Sequence, residues 1–163
     1  GNVVSEIEKN IAQIAVFALP NNELEDQGEN WWINLANNKL GIKVFAIIPF
    51  LQFSSTQKNY NQIRLVAAAI KAPEKSLQDN SLLCVELKSE FSKAQLINLF
   101  KENELEVKIL KVAKLTGADG INFYLVDVAG FIMENDKVIS SLKNSEIKPY
   151  IKVLGHYASP VLV

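Results

Sequence analysis

Three residue types on which many catalytic and metal sites depend are almost missing from this sequence. It has one cysteine, Cys84, one histidine, His156, and one arginine, Arg64, among 163 residues. A single cysteine rules out a disulfide within the chain and suits a reducing compartment, so we expect a cytoplasmic protein and a small buried side chain at Cys84. One histidine is too few for a histidine-based metal site, and we expect neither a metal nor a cofactor.

The sequence also lacks a charge imbalance and a long apolar run. Its 17 basic and 18 acidic side chains leave a net charge of −1, which gives no reason to expect nucleic acid or an anionic membrane as a partner. No apolar stretch approaches the roughly 18 residues that a membrane-spanning helix needs, and no signal-peptide pattern opens the chain. Because the first residue is Gly1, we interpret the chain as a fragment behind a tag remnant and expect a missing N-terminal region.

The first half has the pattern of a small α/β lobe. A stripe of apolar residues predicts a short helix over residues 3–11. Trp31, Trp32 and Leu35 leave one apolar face on a helix within residues 28–38. Apolar runs predict three strands, the first two of them buried, at residues 14–19, 42–50 and 62–72.

The second half has a different pattern of apolar and charged residues. Residues 73–80 are charged and aperiodic, so we place a domain boundary there and expect domains at residues 1–76 and 77–163. Ser92 and Gln95 have the spacing of a capping box that opens a helix, and a second helix follows at residues 138–142. Alternating and apolar runs predict strands at residues 82–88, 105–112, 121–128 and 150–157. The order βαββαβ predicts a ferredoxin-like α+β unit, an antiparallel four-stranded sheet with helices on one face.

Three segments of this second half carry a resemblance to a known family. Residues 123–130 read Phe-Tyr-Leu-Val-Asp-Val-Ala-Gly, the predicted helix follows, and residues 151–158 read Ile-Lys-Val-Leu-Gly-His-Tyr-Ala. In this order they resemble the end of prephenate dehydratases. In that family an ACT domain closes with a Phe-x-Val-Asp-x-x-Gly strand, a short helix and a Lys-Val-Leu-Gly-Ser-Tyr-Pro strand. The resemblance implies an ACT-like regulatory domain at residues 77–163.

The first half resembles the same family, most visibly at residues 7–20. The family's catalytic Asn-x-Thr-Arg signature falls on Asn61, Ile63 and Arg64, so an isoleucine replaces the hydroxyl that dehydratases are thought to use in expelling water. An alkyl side chain can neither donate nor relay a proton. There is also room for only one of the two lobes that surround a dehydratase cleft. We therefore interpret residues 1–76 as a degenerate dehydratase lobe and expect no catalytic residue in it.

The short lobe, with its Trp-Trp helix and following Pro-Phe strand, most resembles the C-terminal extension of certain bacterial chorismate mutases. A small helical mutase domain comes first in those proteins. The resemblance therefore implies that a missing N-terminal region would hold the catalytic residues of the parent protein. It also implies a homodimer that forms through the ACT-like domain.

Dehydratases bind phenylalanine between ACT domains at two motifs, a Gly-Ala-Leu loop after the first ACT strand and Glu-Ser-Arg-Pro at the end of the second. The candidate ligand contacts that this correspondence carries over are Glu90, Phe91, Ser92, Lys93, Lys111 and Lys114. Neither motif is kept in this chain. We favour a helix cap for Ser92 and solvated strand ends for Lys111 and Lys114 over ligand contacts.

Three further positions invite a functional interpretation. We expect His156 to be an interface or surface residue rather than a catalytic one, and Asp127 to satisfy a turn or a neighbouring backbone amide. Adjacent helical residues point about 100° apart, so at least one of Trp31 and Trp32 should be buried. A stacking platform for a ligand is the alternative for this pair.

Together these observations favour a non-catalytic regulatory and dimerising region of a chorismate mutase-like or prephenate dehydratase-like protein of aromatic amino-acid synthesis. Its ligand would be an aromatic amino acid. Two alternatives stay open. One is a prephenate dehydratase with a displaced active site, and the other is a purely structural assembly module.

Overall fold

The computed structural model of the protein describes residues 3–9, 13–20, 30–49, 51–52, 63–114 and 120–162. In chain order the elements within these ranges are α1 Val3–Glu8, β1 Ala15–Leu19, α2 Trp31–Ala36, β2 Ile42–Ile48, β3 Leu51–Gln52, β4 Arg64–Ile70, β5 Asp79–Lys88, α3 Lys93–Glu102, β6 Val107–Lys114, β7 Ile121–Ala129, α4 Lys137–Lys143, β8 Tyr150–Ala158 and β9 Val161–Leu162. The short strands β3 and β9 pair with each other, and the other seven form one sheet in the order β1–β4–β2–β8–β5–β7–β6. No helix among the described residues is long and apolar enough to cross a bilayer.

The last four strands of the sheet make the predicted antiparallel unit. Strand β5 lies between β8 and β7, and β6 pairs with the other edge of β7. Helix α3 connects β5 to β6, and α4 connects β7 to β8, which is the ferredoxin-like βαββαβ arrangement. The predicted α+β fold class is therefore confirmed.

The first half adds three strands to this unit along the edge of β8. Strands β1, β4 and β2 pair antiparallel with one another, and β2 lies parallel to β8 through the register pair Val44 and Gly155. Gly155 has φ +146°, and a Cβ at this position would overlap the backbone nitrogen and carbonyl oxygen of Val44. Glycine is therefore required for the two halves to share one sheet. We call this junction the seam; the division at residue 76 stays a prediction.

The buried side chains form two cores on opposite faces of the sheet. Along β5, Leu83, Val85 and Leu87 belong to one core, and Leu82 and Cys84 belong to the other. This separation follows from the alternation of side chains along a strand. The helix-covered core is completed by Leu96, Leu99 and Phe100 of α3 and by Ile139 and Leu142 of α4.

The other face of the sheet, which the prediction left without a helix, is covered by α2. Trp32 is fully buried, and Trp31 and Leu35 are almost so. Trp31 stacks on Phe17 with the ring centroids 4.7 Å apart, and its Nε1 donates a hydrogen bond to the carbonyl oxygen of Ala18 at 3.0 Å. The expectation that at least one tryptophan is buried is confirmed, since both are.

Two details of the first half differ from the prediction. Strand β1 is buried on one face only, because buried residues alternate with exposed ones and Val16 is 48% exposed. Strand β2 also has a solvent-facing side, where Ile48 is 44% exposed. The exposed positions are apolar too, which hides the alternation in the sequence. The predicted helix over residues 3–11 ends at Glu8, and Ile11 lies outside the described residues.

Candidate functional site

The two places where the resemblance puts an effector site lie at the same end of the sheet. Lys88 at the end of β5 pairs with Ile121, and Lys114 at the end of β6 pairs with Asn122. The loop that follows β5 and the end of β6 therefore flank the start of β7. Lys114 is exposed, as predicted.

Local contacts account for three of the four loop candidates. The predicted capping box is present: the Gln95 amide donates to Ser92 Oγ at 3.2 Å, and the Ser92 amide donates to Gln95 Oε1 at 2.8 Å. Phe91 packs against the helix-covered core, and the Glu90 carboxylate lies 3.8 Å from the Lys88 ammonium. The cap interpretation of Ser92 is confirmed, and the ligand contacts stay a prediction.

The fourth loop candidate, Lys93, begins α3 next to a buried tyrosine. Burial raises the pKa of the Tyr124 hydroxyl, while a hydrogen bond with Asn122 and the positive charge of Lys93 oppose that rise. Lys93 is therefore the loop candidate whose charge acts on the interior of the ferredoxin-like unit.

Lys111 is buried, so its interpretation as a solvated strand end is wrong. The side chain is 6% exposed, and Nζ lies 5.6 Å from the centroid of the Trp32 ring. Among the described residues no carboxylate lies within 4 Å of this ammonium, and the buried Trp32 Nε1 has no hydrogen-bond acceptor. A bulge in the pairing of β6 with β7, between Ile109 and Lys111, turns the lysine toward α2.

The degenerate catalytic signature does not form a cleft in the described part of the chain. Asn61 lies outside the described residues, and Ile63 is 73% exposed. Arg64 begins β4 opposite Leu19, and its charge lies near enough to Tyr157 to favour the ionised phenol. Burial and the neighbouring Asp127 outweigh that effect and raise the pKa of Tyr157.

Asp127 accepts hydrogen bonds from two side chains, which corrects the predicted turn or backbone partner. Tyr157 donates its hydroxyl to Oδ2 at 2.8 Å, and Asn80 Nδ2 donates to Oδ1 at 2.9 Å. Ser159 donates in turn to Asn80 Oδ1 at 2.6 Å. The network joins β5, β7 and β8, so its role is to hold three strands together.

Neither the histidine nor the cysteine has the surroundings of a catalytic group. His156 is 7% exposed, so the expectation of a surface or interface residue is wrong. Its ring stacks on Phe131, and its Nε2 donates to the carbonyl oxygen of Ile132 at 2.7 Å. Cys84 is buried as predicted, and burial raises the pKa of its thiol to about 12. The described residues contain no group of three or more metal-ligating side chains.

A cavity of about 200 Å³ lies at the seam. We call it the seam cavity; the residues on which its chemistry depends are Lys43, Phe45, Lys71, Ser76, Asp79 and His156. It is formed by β2, by the connection after β4 and by the end of β8. This site is not among those predicted from the sequence. The signal that could have pointed to it is Lys43, the only charged residue inside the apolar run 42–50.

Two solved structures share the fold over nearly the whole chain. One, described as GqqA, a novel type of quorum quenching acylase, is 15% identical; the match covers 96% of this chain and 77% of that chain with a TM-score of 0.65. The other is prephenate dehydratase from Streptococcus mutans, 19% identical, with 98% of this chain and 82% of that chain covered and a TM-score of 0.60. The chain has a prephenate dehydratase-like fold. No protein-family model and no curated protein matches it.

Proposed function

We propose that this chain is a non-catalytic regulatory and dimerising region of a protein of aromatic amino-acid synthesis, of the prephenate dehydratase or chorismate mutase type. The observation that carries the proposal is the ferredoxin-like unit with strand order β8–β5–β7–β6, fused through the seam to a reduced lobe. The prephenate dehydratase-like fold and the closing strands that resemble an ACT domain support the same assignment.

The proposed signal is the binding of phenylalanine, tyrosine or tryptophan at the end of the sheet that carries residues 89–93 and Lys114. Thermal unfolding with each amino acid tests this. A ligand at about 100 times its dissociation constant should add roughly 2.7 kcal/mol to the free energy of unfolding. Lys114→Gln should reduce the shift, and Lys101→Gln, an exposed lysine on α3, should leave it unchanged. If no aromatic amino acid at millimolar concentration shifts the transition, the sensing proposal fails and a structural module is left.

The resemblance implies that the proposed homodimer forms through the ACT-like domain, and a second candidate surface lies in the first half. The side of β1, β4 and β2 that faces away from α2 exposes apolar side chains, among them Val16 and Ile48. By contrast, the ferredoxin-like sheet is covered by α3 and α4 on one face and by α2 on the other. Light scattering should give twice the mass of the chain, and Val16→Lys should return the monomer. The control is Leu77→Lys, a fully exposed leucine outside the sheet. Unchanged assembly in Val16→Lys would exclude this surface.

A catalytic function is the competing proposal, because both structural neighbours carry the names of enzymes. Acyl transfer needs a nucleophile beside a base, and dehydration needs a proton donor. In the described residues, Cys84 is a buried thiol, His156 is held by Ile132, and Ile63 cannot donate a proton. We expect no phenylpyruvate from prephenate with the purified chain, and measurable turnover would favour a dehydratase with a displaced site.

A further inference from the structure

We propose that the seam cavity binds a hydrogen phosphate group, free or as a monoester, and that the bound group braces the two halves of the sheet. Such binding would be independent of the proposed sensing of aromatic amino acids. With a volume of about 200 Å³ the cavity lies below the roughly 300–1,000 Å³ of ordinary ligand pockets, which favours a small oxyanion as its ligand.

The cavity has more positive than negative charge available. Its lining includes Lys43, Lys71 and Lys75 as cations and Glu74 and Asp79 as anions. Both acidic side chains already have partners. The Glu74 carboxylate lies 3.2 Å from the Lys71 ammonium. Asp79 accepts hydrogen bonds from the amide and the hydroxyl of Ser76 at 2.9 and 2.7 Å.

Lys43 is the cation that lacks a counter-ion. It is half-buried, it donates a hydrogen bond to the carbonyl oxygen of Val153, and no described carboxylate lies within 4 Å of its ammonium. Glu134, the acidic side chain whose charge acts on Lys43, is shared, because its Oε1 lies 3.8 Å from the Lys152 ammonium and accepts the Val153 amide at 3.4 Å. Charges that are removed from water are normally paired, so an anion bound next to the Lys43 ammonium would supply its missing counter-ion.

His156 discriminates between oxyanions. Because its Nε2 donates to a carbonyl oxygen, the neutral ring carries its proton on Nε2, and Nδ1 is a hydrogen-bond acceptor without a partner among the described residues. A hydrogen phosphate can accept from Lys43 with one oxygen and donate its own O–H to Nδ1. Sulfate has the same shape but no proton to donate at neutral pH, and an ionised carboxylate has none either.

A ligand in this cavity would contact both sides of the seam. Lys43 and Phe45 belong to β2, and His156 belongs to β8, while Ser76 and Asp79 come from the connection after β4 and the start of β5. The register between β2 and β8 consists of one residue pair, Val44 with Gly155. A bound phosphate would therefore add contacts where the pairing of the sheet is shortest, and it should slow hydrogen exchange mainly at the seam.

The test is binding to the 163-residue chain in phosphate-free buffer, measured by calorimetry and by hydrogen exchange of β2. The probes are inorganic phosphate, glycerol phosphate, sulfate and acetate at matched ionic strength. We expect saturable phosphate binding, at least tenfold weaker sulfate and acetate binding, and slower exchange in β2. Binding of glycerol phosphate as well would identify the ligand as a monoester group, and its exclusion would identify free phosphate; both agree with the proposal. Equal effects of phosphate and sulfate would overturn it.

Two lysine variants complete the test. Lys43→Met should weaken phosphate binding by roughly tenfold or more, since a charged hydrogen bond is lost. Lys39→Met removes the same charge from an exposed position just before β2 and should bind as the parent does. Lys71→Gln offers a second cavity variant, with its fold checked by circular dichroism. If Lys43→Met and Lys71→Gln both bind phosphate like the parent chain, the cavity is not the site.

Discussion

The two halves of the seven-stranded sheet use similar apolar residues but bury them to different extents. Strands β5, β7 and β8 have 9 or 10 residues and are buried on both faces, between α3 and α4 on one side and α2 on the other. Strands β1, β2 and β4 have 5 to 7 residues and leave Val16 and Ile48 about half exposed on their outer face, and Ile70 is about half exposed at the end of β4.

The ferredoxin-like half can therefore supply its own core, whereas the first half depends on residues of the ferredoxin-like half to complete its core. The helix-covered core contains only residues after position 82, but the core under α2 combines residues of both halves. The buried side chains of the first half therefore share their core with residues across the seam, and damage to the seam should affect the first half first.

The largest expected effect comes from breaking the seam itself. Gly155→Ala would place a methyl group against the Val44 backbone at a positive φ, which should cost roughly 2–6 kcal/mol from strain and overlap together. Gly130→Ala is the matched control, because Gly130 also has a positive φ, of +109°, but no atom of the described residues lies within 4 Å of its added Cβ. Hydrogen exchange should show β2 and β4 losing protection in Gly155→Ala while β7 keeps it. Uniform loss across the sheet would contradict the dependence of the first half on the seam.

A matched pair of isoleucines measures the difference between the halves. Ile151 in β8 is fully buried, and Ile70 at the end of β4 is 55% exposed. Ile151→Ala should lower the free energy of unfolding by roughly 2–5 kcal/mol because it leaves a cavity, whereas Ile70→Ala should change it by about 0.5 kcal/mol or less. Denaturant titration gives both values. Similar losses would mean that the exposed end of β4 is covered in solution, as a partner chain would cover it.

Local patterns predicted much of the ferredoxin-like half. Its strand and helix order, the Ser92 cap and the burial of Cys84 depend on neighbours within a few residues or on simple alternation. The seam could not be predicted in this way, because it depends on contacts between residues more than 100 positions apart, such as Lys43 with Val153. Propensity and periodicity carry no information about such pairings.

The same limit explains the errors at single residues. The sequence predicts Lys111 as a solvated strand end, but a bulge in β6 and the packing of Trp32 from the first half bury it. His156 is buried because the loop after β7 brings Phe131 and Ile132 against it. Both positions depend on tertiary contacts that the sequence alone does not reveal.

The Asp127 network should contribute a smaller stabilisation, confined to the ferredoxin-like half. Tyr157→Phe removes the hydroxyl that donates to Asp127 and leaves a buried carboxylate with one fewer partner, so the loss should be roughly 1–3 kcal/mol. Tyr150→Phe is the control, since Tyr150 is 50% exposed. Equilibrium unfolding in urea compares the two variants. Equal stabilities would mean that solvent, rather than Tyr157, satisfies the Asp127 carboxylate.

The smallest expected effect is a pH dependence that originates at Lys43, on the seam. Burial is the main cause that lowers its pKa from the ordinary value of 10.5, Glu134 opposes this effect, and Lys152 adds to it. Between the folded and the unfolded pKa the unfolded chain binds more protons, so the stability contributed by this residue rises with pH in that window. Below the folded pKa the cost of the buried charge is present in full. In phosphate-free buffer the free energy of unfolding of Lys43→Met minus that of the parent should therefore be constant at neutral pH and fall as the pH approaches 10.5. Lys39→Met should show no such slope. If the difference in the free energy of unfolding between Lys43→Met and the parent does not change with pH, the Lys43 ammonium is as well solvated in the folded protein as in the unfolded chain.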